Sequence, residues 1–258
     1  IAPHLRRQSG RVILTESVLT FGLGESMVGE RLGILMKRGR NPQVGTTVAN
    51  GVVTVRIRSD FPSPAKAKKA LAATVLTVRR KLGSAVFGTG SDTIQQVVGH
   101  LLLKNHKTLA TAESCTGGLL AGMITDVPGS SAWFKGGWVV YSNELKQREL
   151  DVPLDMLKKY GAVSKPVAQS LARNALLKTG ADYAFGITGI AGPDGGTPKK
   201  PVGTVWIALA ARRGRRVDCR AELFRMFGDR QMVRDRAARM ALNMLRERLR
   251  TEVRRSVH

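Results

Sequence analysis

Two side chains able to attack a carbonyl carbon stand next to each other in the segment TAESCTGGLLAG, Thr111 to Gly122: Ser114 and Cys115. An acid, Glu113, precedes them, and Gly117 and Gly118 follow. The run reads as a short strand, KTLATAES, delivering the chain into a turn that opens a helix. A helix N-terminus presents N–H groups without partners and the positive end of its dipole. Glycines let a ligand or another stretch of backbone come close. Such a turn suits an anion: a phosphate, a carboxylate, or the oxyanion that develops on a carbonyl under attack. The same residues equally make a plain capped helix start, so the motif alone names neither the reaction nor the nucleophile.

Two further segments share its character, VVYSNELK (139–146) and TGIAGPDGGTPKKPVG (188–203). Each follows a predicted strand, and the three are expected to converge at one edge of a sheet. Familiar signatures fail here. There is no GxxxxGK[ST] phosphate loop, no GxSxG elbow around Ser114, and no SxxK pair at Ser142. Gly189–Gly192 is a GxxG, too common alone to mean RNA binding.

Positioning these segments takes alternating strands and helices. SDTIQQVVGHLLLKNH reads as a helix opened by Ser91 or Asp92, TGGLLAGMITDV as the helix after the nucleophile turn, and SKPVAQSLARNALLKTG as an Ala-rich helix closed by Gly180. FKGGWVVYSNELKQREL turns from strand to helix near Ser142–Asn143. ADYAFGITG, GTVWIALAA and RVDCRAELFRM are strands, the last two antiparallel, and a final helix runs from about Arg230 to Glu252. The pattern predicts a three-layer α/β/α domain with a mixed sheet over residues 91–258. Residues 1–90 read as a separate small α+β domain. It has a helix around GESMVGERLGILMKRGR, a hairpin at Ala49-Asn50-Gly51, and a helix capped by Ser63 with Pro64 first.

The chain has 258 residues and is 43% hydrophobic, enough for a real core in one or two domains. No apolar run approaches the ~20 residues of a membrane span, and IAPHLRRQSGRVIL lacks the apolar region of a secretion signal. A soluble, cytoplasmic protein with no membrane partner is expected. Cys115 and Cys219, with His4, His100, His106 and His258, show neither a disulfide framework nor metal-ligand spacing, so no metal is expected. The formal charge of +23 is uneven: 15 basic against 5 acidic side chains over residues 1–100, 12 against 8 over 101–210, and 15 against 6 over 211–258. The region around the motif is the least basic. Cationic ends suit anionic partners, either nucleic acid or phosphate-bearing substrates, or simply a solvated arginine-rich surface.

TLATAESCTGGLLAGMITDVPGSSAWFKGGWVVYSNELK, with GAVS (161–164), GADYAFGITGIAGPDGGTPKKPVGTVWIAL and FGDR (227–230), resembles the CinA family, competence/damage-inducible protein A. The match runs in order from about residue 92 to 250. GLGESMVGERLGILMKRGRNPQVGT resembles the KH-like middle region of longer members, although no GxxG loop is found there. Those members carry an N-terminal molybdopterin-binding-like domain linked to nucleotide pyrophosphatase activity. A chain opening on Ile1 rather than Met is expected to be a fragment or to lack that domain.

The resemblance implies a nicotinamide-nucleotide amidase, a hydrolase of pyridine-nucleotide salvage. It converts nicotinamide mononucleotide and water to nicotinic acid mononucleotide and ammonia, without a cofactor. It implies Ser114 as nucleophile, with Tyr141 and Lys146 as activating partners. Elementary chemistry agrees. A serine hydroxyl is too weak a nucleophile alone, and none of the three segments holds a histidine. A lysine can act as base only when neutral, which burial or nearby cations can arrange. Tyr141 would relay a proton, and N–H groups at Cys115, Thr116, Gly117 and Gly118 would hold the oxyanion. Cys115 lacks a neighbouring histidine or cation to make it a thiolate. Glu113 either orients the backbone or the lysine, or simply caps and packs. For the substrate's phosphate and ribose the expected donors lie on the loop Thr188, Gly189, Ala191 and Gly192, with Thr188 leading, and at Arg230 as a phosphate clamp. Trp133, Phe134 and Trp138 could stack on a pyridine ring, though packing suits them as well.

Two rivals remain. In one, the chain is a basic nucleic-acid-binding protein with a vestigial amidase domain. In the other, the first domain is a dimerisation module, and a homodimer is expected.

Overall fold

The structure, a computed structural model, describes residues 11–255. The residues before Arg11, with most of the stretch read for a secretion signal and His4, lie outside it, as does His258. The chain divides into two compact units between Thr93 and Ile94.

The first unit holds a four-stranded antiparallel sheet in the order β2-β3-β1-β4, with β1 Val12–Phe21, β2 Gln43–Ala49, β3 Val52–Phe61 and β4 Val86–Thr89. Val53, Val55 and Ile57 alternate inward against helices α1 (Glu25–Leu32) and α2 (Pro64–Leu82). The hairpin turns on Asn50 and Gly51 with φ of 51° and 76°, the left-handed pair of a type I′ turn. Ser63 Oγ accepts from Lys66 N at 3.5 Å, and Pro64 stands first in α2. The Gly-rich VFGTGSD carries β4 and a turn closed by Asp92, whose carboxylate accepts the Thr89 N–H at 2.9 Å. Asp92 therefore serves that turn.

In the second unit a five-stranded sheet runs β6-β5-β7-β8-β9: β5 Leu109–Glu113, β6 Phe134–Val139, β7 Tyr183–Gly189, β8 Thr204–Arg213 and β9 Arg216–Arg225. β6, β5 and β7 are parallel; β8 and β9 are antiparallel additions. The mixed sheet predicted from the alternation is present. Helices are α3 Ile94–Lys104, α4 Leu119–Thr125, α5 Asn143–Leu150, α6 Leu154–Tyr160, α7 Lys165–Thr179 and α8 Arg230–Arg255. On one face Ala110, Ala112, Ala184, Ala208 and Ala210 pack under Val167, Ala168, Leu171 and Ala175 of α7. Alanines there let helix and sheet approach closely, and Gly186 takes this furthest. A Cβ on it would meet Ala168 O at 2.2 Å and Ala172 N at 2.5 Å. On the other face Leu109, Phe185, Ile187 and Ile207 are fully buried, as are Val233, Ala237, Ala241 and Leu245 of α8. Tyr183 Oη donates to Glu252 and ties α8 across β7. The short helix α6 is not signalled by the sequence pattern.

Candidate active site

Glu113 at the end of β5 stands opposite Val139 of β6 on one side and Ile187 of β7 on the other. The carboxyl ends of three parallel strands therefore stop at one level. The chain leaving them supplies Ser114, the Tyr141–Lys146 segment and the Thr188–Gly192 loop. In open α/β sheets this is where ligands bind. A cleft of about 280 Å³ lies there, walled by Ser114, Cys115, Tyr141, Lys146, Thr188, Gly189, Ala191, Gly192 and Arg230. Thr116, Gly117 and Gly118 are not in its wall; they form the turn behind Cys115. Asn143, Ala162, Val163 and Asp194 also line it. Asn143 and Asp194 stand inside segments singled out by sequence, whereas Ala162 and Val163, in the α6–α7 connection, belong to the GAVS motif of the family resemblance but are not among its named site residues.

Ser114 is held from both sides: its N–H donates to Ile187 O at 3.0 Å, and its carbonyl accepts the Gly117 N–H at 3.0 Å. Gly117 and Gly118 follow with φ of 60° and 90°, two left-handed residues in succession that a side chain would strain. The expectation of a helix opening at Cys115 with free donors needs correction, because α4 begins only at Leu119. Its N-terminus is satisfied from within. Glu113, fully buried, accepts from Gly118 N at 3.1 Å, Leu120 N at 3.0 Å and Ala121 N at 2.8 Å. Glu113 thus orients backbone, its charge meeting the positive end of the helix dipole. The amides of Cys115 and Thr116 donate to no other residue's oxygen among the described residues, and of the two residues Cys115 lines the cleft.

Glu113→Gln is expected to destabilise the second unit by about 2 kcal/mol or more, because one buried N–H then faces an amide NH₂. The ammonia-releasing activity proposed below should fall with it, as Ser114 loses its support. Denaturant unfolding checks the first effect, and an unchanged midpoint would remove this role.

Burial pushes the Cys115 thiol up to about 12, with only smaller opposing help from its own backbone, Lys146 and Arg234. It stays a thiol at neutral pH, without the thiolate character that makes a cysteine reactive. Lys146 is buried at 1% exposure, and loss of solvent pulls its ammonium below the ordinary lysine value. Its Nζ donates to Val140 O at 2.9 Å and Tyr141 O at 3.0 Å, with Ser142 O further off at 3.4 Å.

Among the described residues no hydrogen bond joins Ser114 Oγ to Lys146 Nζ or Tyr141 Oη. Tyr141 Oη instead accepts from Arg230 at 2.8 Å, and the same guanidinium donates to Gly192 O at 2.7 Å. Arg230 therefore joins the loop after β7 to the segment after β6. Thr188 has its donor engaged, Oγ1 to Ala162 O at 2.9 Å, which leaves it only lone pairs to offer a ligand. Trp133 is buried against Gly99, and Trp138 packs on the aliphatic core beneath α7; neither lines the cleft. Nor does Phe134. Lys200 reaches Tyr160 O at 3.0 Å and fastens the long loop. Arg234, which sequence reading missed, donates to Thr116 O at 2.9 Å across 118 positions. Standing four residues after Arg230, it lies on the same face of α8, so one helix braces the nucleophile turn and the facing loop. Among the described residues no group of three or more His, Cys, Asp or Glu side chains could hold a metal ion, and no helix is long and apolar enough to cross a membrane.

Comparison with known proteins identifies the relatives of this chain. Residues 91–249 match the CinA C-terminal domain, and residues 15–88 match the damage-inducible protein CinA KH domain. A CinA-like protein of Geobacter sulfurreducens is 44% identical over 96% of this chain, and one of Geobacter metallireducens is 41% identical over 95%. The chain spans 59% and 58% of the lengths of these two curated relatives. Among solved structures, the competence/damage inducible protein CihA from Agrobacterium tumefaciens is 37% identical with a TM-score of 0.56, covering 62% of this chain and 97% of that one. A CinA superfamily protein from Klebsiella pneumoniae is 34% identical with a TM-score of 0.56, covering 62% of this chain and 99% of that one. With two family models matching in order and over most of its length, the chain belongs to the CinA family.

Proposed function

We propose that the second unit is a nicotinamide-nucleotide amidase acting on nicotinamide mononucleotide. One observation carries the reading: Ser114 and the buried Lys146, delivered by different strands, line one cleft with Tyr141 and Arg230. In the proposed reaction Ser114 Oγ attacks the carboxamide carbon and its proton passes to neutral Lys146 Nζ. The transfer needs an approach to about 3 Å or a single bridging water. The tetrahedral oxyanion rests on the Cys115 amide, next to Ser114 in the cleft wall. Breaking the C–N bond with a proton returned from the lysine, through Tyr141 Oη, releases ammonia and leaves an acyl ester on Ser114. Water, deprotonated by the same lysine, hydrolyses that ester to the carboxylate. Arg230 offers a fixed cation to the substrate phosphate, and the loop backbone from Gly189 to Gly192 bounds the nucleotide. No metal or cofactor enters these steps.

The test is incubation of the chain with nicotinamide mononucleotide, following ammonia by a coupled assay and the nucleotide by chromatography. Ammonia and nicotinic acid mononucleotide should appear in equal amounts. Formation of neither, by a chain that is folded by circular dichroism, would overturn the reading.

A further inference from the structure

Helix α2 contains no acidic residue in PAKAKKALAATVLTVRRKL, and Lys66, Lys68, Lys69, Arg79, Arg80 and Lys81 are all basic. Its inner face, Ala67, Leu71, Val75, Val78 and Leu82, is committed to the first unit's core. At about 100° per residue, the outer face sorts into three lines. Ala65, Ala72 and Leu76 run down the centre. Lys68 and Arg79 form a rail on one side; Lys66, Lys69 and Arg80 form a rail on the other. Every one of these residues is exposed. Lys81 is held by the protein itself, donating to Arg31 O at 3.1 Å. The five rail cations enter no ion pair among the described residues.

A basic composition does not by itself produce this arrangement. Helix α8 is also rich in arginine, yet it pairs Arg239 with Asp235 at 2.8 Å, Arg246 with Glu247 at 3.5 Å and Arg248 with Glu252 at 2.6 Å. On α2 the matching acids are missing, and the charge faces outward unopposed.

We propose that the outer face of α2 docks double-stranded DNA, with the helix lying in the major groove and the two rails on the phosphates of opposite walls. A helix about 10–12 Å across fits a groove about 12 Å wide. Methyl groups down the centre let the helix axis settle towards the groove floor, and long cationic side chains on both sides then reach the strands. At ~1.5 Å per residue α2 spans about 28 Å, close to one helical turn of B-form DNA. With its Lys and Arg side chains on the phosphates, the face has no Asn, Gln, Asp or Glu left to read base edges, so binding is independent of sequence and carried by phosphates. A-form RNA, whose major groove is deep and narrow, does not admit the helix. A lipid surface is the poorer match, because Leu76 is the one large apolar side chain on the face and amphipathic membrane helices present several. This surface belongs to the first unit and does not rest on the amidase reading.

The experiment is fluorescence anisotropy of the full chain with a labelled 24-base-pair DNA duplex of arbitrary sequence, from 50 to 200 mM salt. The expected logarithmic salt slope is about −3 to −5, for four or five phosphate contacts. Lys69→Ala with Arg80→Ala should weaken binding at least about tenfold at the lowest salt and make the slope shallower by about 2. Ala72→Phe, which keeps every charge, should weaken binding with the slope retained. The control, Arg215→Ala with Arg216→Ala at the exposed β8–β9 turn, should leave binding unchanged. No binding at 50 mM salt would overturn the proposal. So would equal losses in the control, which would mean that total charge alone attracts DNA. A single-stranded 24-mer bound as tightly as the duplex would remove groove docking. Anionic phosphatidylserine vesicles bound through the same residues, in place of the duplex, would reassign the surface to membrane.

Discussion

Ammonia release from nicotinamide mononucleotide is expected to fall on the order of 10⁴-fold or more in kcat for Ser114→Ala, with the fold intact. A residue that forms the covalent intermediate has no substitute in the cleft, so its loss removes the pathway rather than one favourable contact. The side chain makes no hydrogen bond among the described residues, and its backbone is pinned at Ile187 and Gly117, so alanine should disturb little else. Cys115→Ala is the internal comparison. Its thiol, raised to about 12 by burial, is protonated at neutral pH, and the variant should keep activity within about tenfold. Both variants should unfold at nearly the parent's denaturant concentration. The opposite pattern, an active Ser114→Ala and a dead Cys115→Ala, would exchange the roles of the two neighbours.

What could be read from the residues follows the range of the physical signals. The turn at Asn50–Gly51, the Ser63–Pro64 start of α2 and the Gly180 end of α7 are local, each decided within a few positions, and each appears where its chemistry demands. The approach of three Gly-marked segments follows from the order of strands and helices, since parallel neighbours bring their carboxyl ends to the same side. Side-chain commitments were not readable. Thr188 is an inviting donor in the sequence, but its proton is taken by Ala162 O, a carbonyl 26 positions away. Arg234 braces Thr116 from the last helix, and no spacing rule connects residues so distant. Glu113 looked equally suited to several tasks because its partners depend on the helix starting at Leu119 rather than at Cys115. Two left-handed glycines delay that start, and periodicity does not register them.

Lys146→Met is expected to lower kcat/KM on the order of 10³-fold, within the range for loss of a general base, and to change the shape of the pH profile. Lys146→Arg should fail as completely, since a guanidinium keeps its proton and cannot accept one from Ser114. The parent's rate should climb as Lys146 loses its proton, and burial brings that rise below the ordinary value of 10.5. Neither variant should show that rise. Stability carries the same signature with a definite sign. Between the depressed value of the folded chain and 10.5, the unfolded chain binds the extra proton, so stability increases with pH across that window. Below it both states are protonated, and the cost of enclosing the cation is fully present. Denaturant unfolding of the parent should therefore strengthen towards alkaline pH relative to Lys146→Met, after allowing for the bonds to Val140 O and Tyr141 O that methionine cannot make. Superimposable profiles for parent and variant, in both rate and stability, would mean that this amine never gives up its charge in the folded protein, and Ser114 would then need another base.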